Sequence, residues 1–196
     1  MDDRQQVMPG GKVDRLTSVV QNLIRYLSMN ISEILLLDFD TEILNTRRTL
    51  ERIPENDPKW KPAEKSMPIG RLALHTARLP DFCTTILTKP GLDMSKEKWP
   101  DIIFESTAHL LSELDRSAAE ARHHLAMATD INLHTNWKLS FGEKVFLDSP
   151  RMLLYRTMFL NHMVHHRAQL GVYLRLLNIP VPGLYGPSAD EPIPLG

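Results

Sequence analysis

His162, His165 and His166 stand together in the stretch LNHMVHHRAQLGVYLRLL, which reads as the middle of a long helix. Two histidines spaced i, i+4 lie about 40° apart around a helix axis and point the same way. Imidazole is the commonest metal ligand in proteins, so His162 and His166 are a ready pair of ligands. With His162 set at zero, Tyr155, Met158, Phe159, His166, Gln169, Tyr173, Leu176 and Leu177 fall within about 60° of it. The pair therefore occupies a broad apolar face and points into the protein. His165 lies about 60° to the other side, at the edge of that face. Arg156, Arg167 and Arg175 project away from it.

A buried imidazole must find partners for both ring nitrogens. Hydrogen bonds can satisfy a core pair, and a metal can satisfy one nitrogen of each histidine. The pair alone fits either. His75 adds weight to the metal, because it lies between Leu72 and Leu79 on the apolar stripe of an earlier helix. An inward histidine facing two others gives a three-histidine site, and bundle cores are common places for such sites. Three protein ligands with open positions are the catalytic arrangement rather than the closed structural one.

The elements that must position these residues are mostly helical. Val13, Leu16, Val20, Leu23 and Leu27 recur at helical spacing and predict a helix near the N-terminus. Residues 31 to 52 lack Pro and Gly and read as a long amphipathic helix. Pro54, Pro58 and Pro62 make 54 to 65 an extended loop. Ser66 is the expected N-cap of the His75 helix, Pro80 should kink it, and Pro90 and Gly91 end it. A third helix is expected over about 101 to 128, with Phe104, Leu111, Leu114, Ala118 and Leu125 inward. Residues 131 to 148 lose the helical period. Trp137, Leu139 and Phe141 alternate, as do Val145 and Leu147 beyond Gly142-Glu143, so a short hairpin or extended connection is expected there. The last helix is expected from about 149 to 178, closed by Pro180, Pro182 and Gly183. Four long helices and almost no strand predict an all-α four-helix bundle over 31–196, preceded by a partly helical extension over 1–30.

Whole-chain properties narrow the function. At 196 residues and 42% hydrophobic, the chain can bury one proper core. A net charge of -1 gives no basic footprint for nucleic acid. No apolar run reaches the roughly 20 residues that span a bilayer. The single Cys83 excludes an internal disulfide framework, and MDDRQQ lacks the order of a secretory signal. A cytoplasmic protein acting on small molecules is expected. Cys83 reads as a small buried hydrophobe. His109, His123 and His124 fall on the outer side of the third helix, and His134 lies in the connection. Asp115 falls on the inward side of the third helix, where it could hydrogen-bond a ligand imidazole or pair with Arg122. Leu153, Leu160, Val164, Gly171 and Leu174 form a second apolar row behind the histidines. That row is covered either by the first helix and the N-terminal segment or by a second copy in a homodimer.

The segments SMPIGRLALHTARLPDF and RTMFLNHMVHHRAQLGVYLRLLNIPVPGLYGPSADE resemble the DinB-like (YfiT-like) metalloenzyme family over roughly residues 31 to 191. The specific marks are H-x3-H-R-x-Q on the last helix and the single histidine in its L-x-x-H context. Ala168 stands where the family commonly has Gly. The resemblance implies a four-helix bundle holding a divalent metal on His75, His162 and His166, with His165 not a usual ligand. It also implies a thiol-dependent transferase or isomerase, with a low-molecular-weight thiol as cosubstrate. Three imidazoles suit Zn, Ni, Fe, Co or Mn alike. A non-catalytic metal-binding stress-response module and a metal-dependent hydrolase are the alternatives.

Overall fold

The computed structural model describes residues 17–21, 23, 29–98 and 103–193. Residues 17–21 and 23 are helical, with Val20 and Leu23 exposed. Val13, Leu16 and Leu27 of the same expected stripe lie outside the described residues.

Helix α1 (Ile31–Leu50) opens on a capping box. The Asn30 side chain accepts from the Glu33 N–H at 2.9 Å, and the Glu33 carboxylate accepts from the Asn30 N–H at 2.8 Å. Helix α2 (Ile69–Thr88) begins at Pro68 rather than Ser66. The N–H groups of Ile69 and Gly70 donate to the carbonyls of Trp60 and Pro58, so the proline-rich loop itself satisfies the helix start. The approach is close enough that a Cβ on Gly70 would meet Pro58 Cβ at 2.8 Å. Pro80 sits inside α2 without ending it.

Three strands correct the expectation of almost no sheet. Strands β1 (Gly91–Asp93), β2 (Asn136–Phe141) and β3 (Lys144–Pro150) form one sheet in that order. β2 and β3 are the expected hairpin, turned at Gly142, whose φ of 57° suits glycine. β1 pairs parallel to β2, with Leu92 opposite Leu139. Between β1 and β2 lie helix α3 (Thr107–Met127) and the short α4 (Asp130–His134). α3 starts later than expected, because the Ser106 hydroxyl caps it through the His109 N–H at 3.0 Å.

The last helix also starts late, because Ser149 and Pro150 pair with Trp137 and Asn136 in the sheet. It comprises α5 (Arg151–Leu154), a π-helical turn (Tyr155–Leu160) and α6 (Asn161–Leu176). Asn178 closes it in the left-handed region at φ 57°. The Ile179 N–H then donates to Leu174 and the Asn178 N–H to Arg175, a Schellman closure. None of the described helices is long and apolar enough to cross a membrane.

The helices bury two apolar clusters. One joins Phe39, Leu79, Cys83, Phe159 and Met163. The other joins Leu50, Leu72, Leu114, Leu170 and Leu174. In the apolar row behind the histidines, Leu160 and Leu174 are packed inside the chain, and Leu153 stays exposed. Arg167 leaves the histidine face as expected, yet it is 2% exposed. Its guanidinium donates to the Glu42 carbonyl and pairs with the Glu42 carboxylate on α1.

A third cluster holds the sheet to α2 and α5 through Trp137, Leu92, Leu139, Ile86 and Leu154. Asp93 fastens its far edge. The Asp93 carboxylate accepts from the Ser95 hydroxyl at 2.7 Å and from the Gly142 N–H at the hairpin tip at 2.9 Å. Those bonds, the Ser95 hydroxyl first, hold its pKa below the ordinary carboxylate range. A carboxyl whose folded pKa is depressed stabilises the fold above its ordinary pKa and loses that contribution as pH falls through the folded value. As pH falls from about 4 toward that folded value, the protection factor of the Gly142 amide, taken against its intrinsic exchange rate at each pH, is therefore expected to fall. Asp93→Asn should show that lowered protection factor already at neutral pH. Unchanged protection in both would mean that Asp93 does not hold the hairpin.

Candidate metal centre

The two apolar clusters flank a histidine layer. On α2, His75 lies between Leu72 in one cluster and Leu79 in the other. On the last helix, His162 and His166 lie between Phe159 in one cluster and Leu170 in the other. Packing above and below thus fixes the two helices that carry the imidazoles. His75, His162 and His166 come together, each half-buried, with one ligand atom apiece all within 4.8 Å of one another. Their ring centroids are 5.3 Å apart for His75 and His162, 4.8 Å for His75 and His166, and 4.5 Å for His162 and His166.

The outer ring nitrogens have their own partners. His166 Nδ1 lies 2.8 Å from Gln169 Oε1, and His162 Nδ1 lies 3.3 Å from the Met158 carbonyl. Both oxygens accept, so both Nδ1 atoms carry the proton in these contacts. The Nε2 atoms then carry lone pairs, and they face each other at 2.7 Å. Two lone pairs at that distance repel unless a cation or a shared proton lies between them. The arrangement therefore fits a metal, and the Nδ1 partners are of the kind that orient ligand histidines.

Charge points the same way. Burial, then His166, His162 and Arg71, lower the pKa of His75 to about 4. Burial also lowers those of His162 and His166. All three rings are neutral at pH 7, which is the ligating form. No carboxylate belongs to this group, and the half-burial of the rings leaves the cluster open to solvent.

The residues expected at the site separate cleanly. His165 is exposed, its ring 5.0 Å from His166, and stands outside the cluster. Asp115 is corrected: it forms an ion pair with Arg47 of α1 and does not reach a ligand imidazole. Arg122 pairs instead with Asp40. Cys83 is fully buried, and burial pushes its thiol pKa up, so it is no nucleophile. His123 and His134 are exposed, as expected of them. His109 is half-buried with its Nδ1 sealed from solvent, against the expectation of an outer residue.

Two contributors escaped the sequence. Gln169 lies on the histidine face that helical spacing predicts, and its i, i+3 spacing from His166 is the one sequence signal of their contact. The Met158 carbonyl belongs to the π-helical turn, and such turns recur at functional sites. No residue pattern announced that turn.

Comparison with known proteins bears on the family and the fold. A family model described as the DinB family matches residues 35–194. An uncharacterized protein of Bacillus subtilis, YrdA, is 26% identical over 148 residues, covering 74% of this chain and 83% of its own. The crystal structure of a DinB-like protein from Bacillus cereus superposes with a TM-score of 0.62 at 22% identity, covering 80% of this chain and 98% of that one. A DinB-like protein from Bacillus subtilis gives a TM-score of 0.57 at 17% identity, covering 74% and 92%.

Proposed function

The chain belongs to the DinB family, and from that premise we propose that it holds a divalent metal on His75, His162 and His166 and works as a metal-dependent transferase or isomerase with a low-molecular-weight thiol. The observation that carries the metal is the pair of Nε2 atoms facing each other at 2.7 Å while both Nδ1 atoms meet carbonyl oxygens. The open side of the cluster supports a reacting site, since a structural metal would be closed by a fourth protein ligand.

A divalent metal at this position would act as a Lewis acid that lowers the pKa of a bound thiol or water. The chain's own part is positional. Gln169 and the Met158 carbonyl hold the Nδ1 protons and so aim both Nε2 lone pairs at one point. The flanking apolar clusters keep the two helices in register and exclude water from the buried side of the rings. We place the protein in the cytoplasm, with small molecules as its substrates.

Elemental analysis of the purified protein tests the metal. About one divalent ion per chain is expected, with Zn, Ni, Fe, Co and Mn all suited to three imidazoles. A protein that takes up none of these would overturn the reading. A panel of low-molecular-weight thiols against model electrophiles then tests the chemistry. Metal without turnover on any thiol would move the function to a non-catalytic module or a hydrolase.

A further inference from the structure

Arg71 lies four residues before His75 on α2, so the two side chains share a helix face about 5–6 Å apart at Cβ. It is exposed, and it has neither a hydrogen bond nor an ion pair among the described residues. Every other described arginine has an acceptor. Arg78 on α2 and Arg116 on α3 share Asp81 and Glu113. Arg156 pairs with Asp38 and Arg175 with Asp190. Arg151, with no carboxylate near, donates to the carbonyls of Ile86 and Lys89.

Two electrostatic effects at Arg71 have the same sign. It sits in the first turn of α2, where a cation opposes the helix dipole. That turn contains no acidic residue, and Pro68 offers no side-chain cap. A metal on the histidines would repel the guanidinium as well. Among the described residues no anion offsets either. An anion bridging the histidine cluster and the guanidinium would offset both. A planar guanidinium fits a carboxylate through two parallel hydrogen bonds.

We propose that Arg71 is the carboxylate-binding arm of this site, so that the small molecule taken at the histidine cluster carries a carboxylate. The proposal rests on the reading that His75, His162 and His166 hold a metal. The ligand then has two anchors, one donor atom at the cluster and one carboxylate at Arg71. The second anchor selects among ligands that present the same donor atom.

The test uses the full chain loaded with Co2+ and two thiols of similar size, 3-mercaptopropionate and 3-mercaptopropan-1-ol. Affinity is read from the sulfur-to-cobalt charge-transfer absorbance. Arg71→Gln is expected to weaken 3-mercaptopropionate by roughly tenfold, the loss of one charge-assisted pair, and to leave the alcohol nearly unchanged. Arg71→Lys should recover part of the loss, because it restores the charge without the fork. Cobalt content should be equal in all three proteins. Equal weakening of both thiols, or no weakening of either, overturns the carboxylate arm and leaves the metal reading standing. Failure of the wild-type chain to retain cobalt overturns both.

Discussion

His75→Ala is expected to abolish metal retention on purification. Its affinity should fall by more than about a hundredfold, since losing an outer partner of a ligand alone costs 10–100-fold. His162→Ala and His166→Ala should behave alike, because each removes one of the three converging ring nitrogens. His165→Ala should retain the metal, as its exposed ring stands outside the cluster. The contrast between neighbours is the sharp part of the result. His165 and His166 are adjacent in sequence, yet one substitution should empty the site and the other leave it full. A thermal readout separates ligand loss from misfolding. Added metal stabilises a protein only where it binds the native state, so it should raise the melting temperature of wild type and His165→Ala but not of His75→Ala. The metal-free His75→Ala protein should still unfold cooperatively, because His75 is half-buried and the apolar clusters on either side of it are untouched. Metal retention by His75→Ala would remove α2 from the site.

The largest expected effect on stability is at Trp137. Its side chain is fully buried where the sheet meets α2 and α5, with the Phe82 ring edge-on at 5.9 Å. Trp137→Ala should cost about 3–5 kcal/mol in denaturant unfolding, the range for emptying such a position. Trp137→Phe should cost less than about 1.5 kcal/mol. The reason for the difference is specific to this site. The indole Nε1 is buried without an acceptor, so the smaller ring gives up packing but also removes an unsatisfied donor. Met158 packs against the same cluster, and its carbonyl holds His162. Trp137→Ala should therefore also weaken metal binding, although Trp137 is not among the converging residues. A Trp137→Ala protein within about 1 kcal/mol of wild type would show that the sheet does not anchor this end of the fold.

The helices and their inward faces were legible because helical periodicity is local. The 3.6-residue repeat put His162 and His166 on one face and His165 at its edge, and the structure keeps that division. The hairpin was legible for the same reason, from alternation broken at Gly142. Strand β1 was not, because three residues carry no period and its partner lies across α3. The N-terminus of α2 was not legible at Ser66, because its first N–H groups are satisfied by loop carbonyls rather than by a capping side chain.

The sequence by itself determined which residue types share a face: two imidazoles four apart on one helix, between Phe159 and Leu170, and one on another, between Leu72 and Leu79. Only the tertiary structure decided that the two faces meet. It also decided that Asp115 answers Arg47, that Arg167 is buried against Glu42, and that Arg71 has no partner among the described residues. The difference is one of range. A helix sets the direction of its own side chains within a turn or two, whereas a charge or a ring nitrogen finds its partner on another element. That pairing is settled when the apolar clusters lock the helices together.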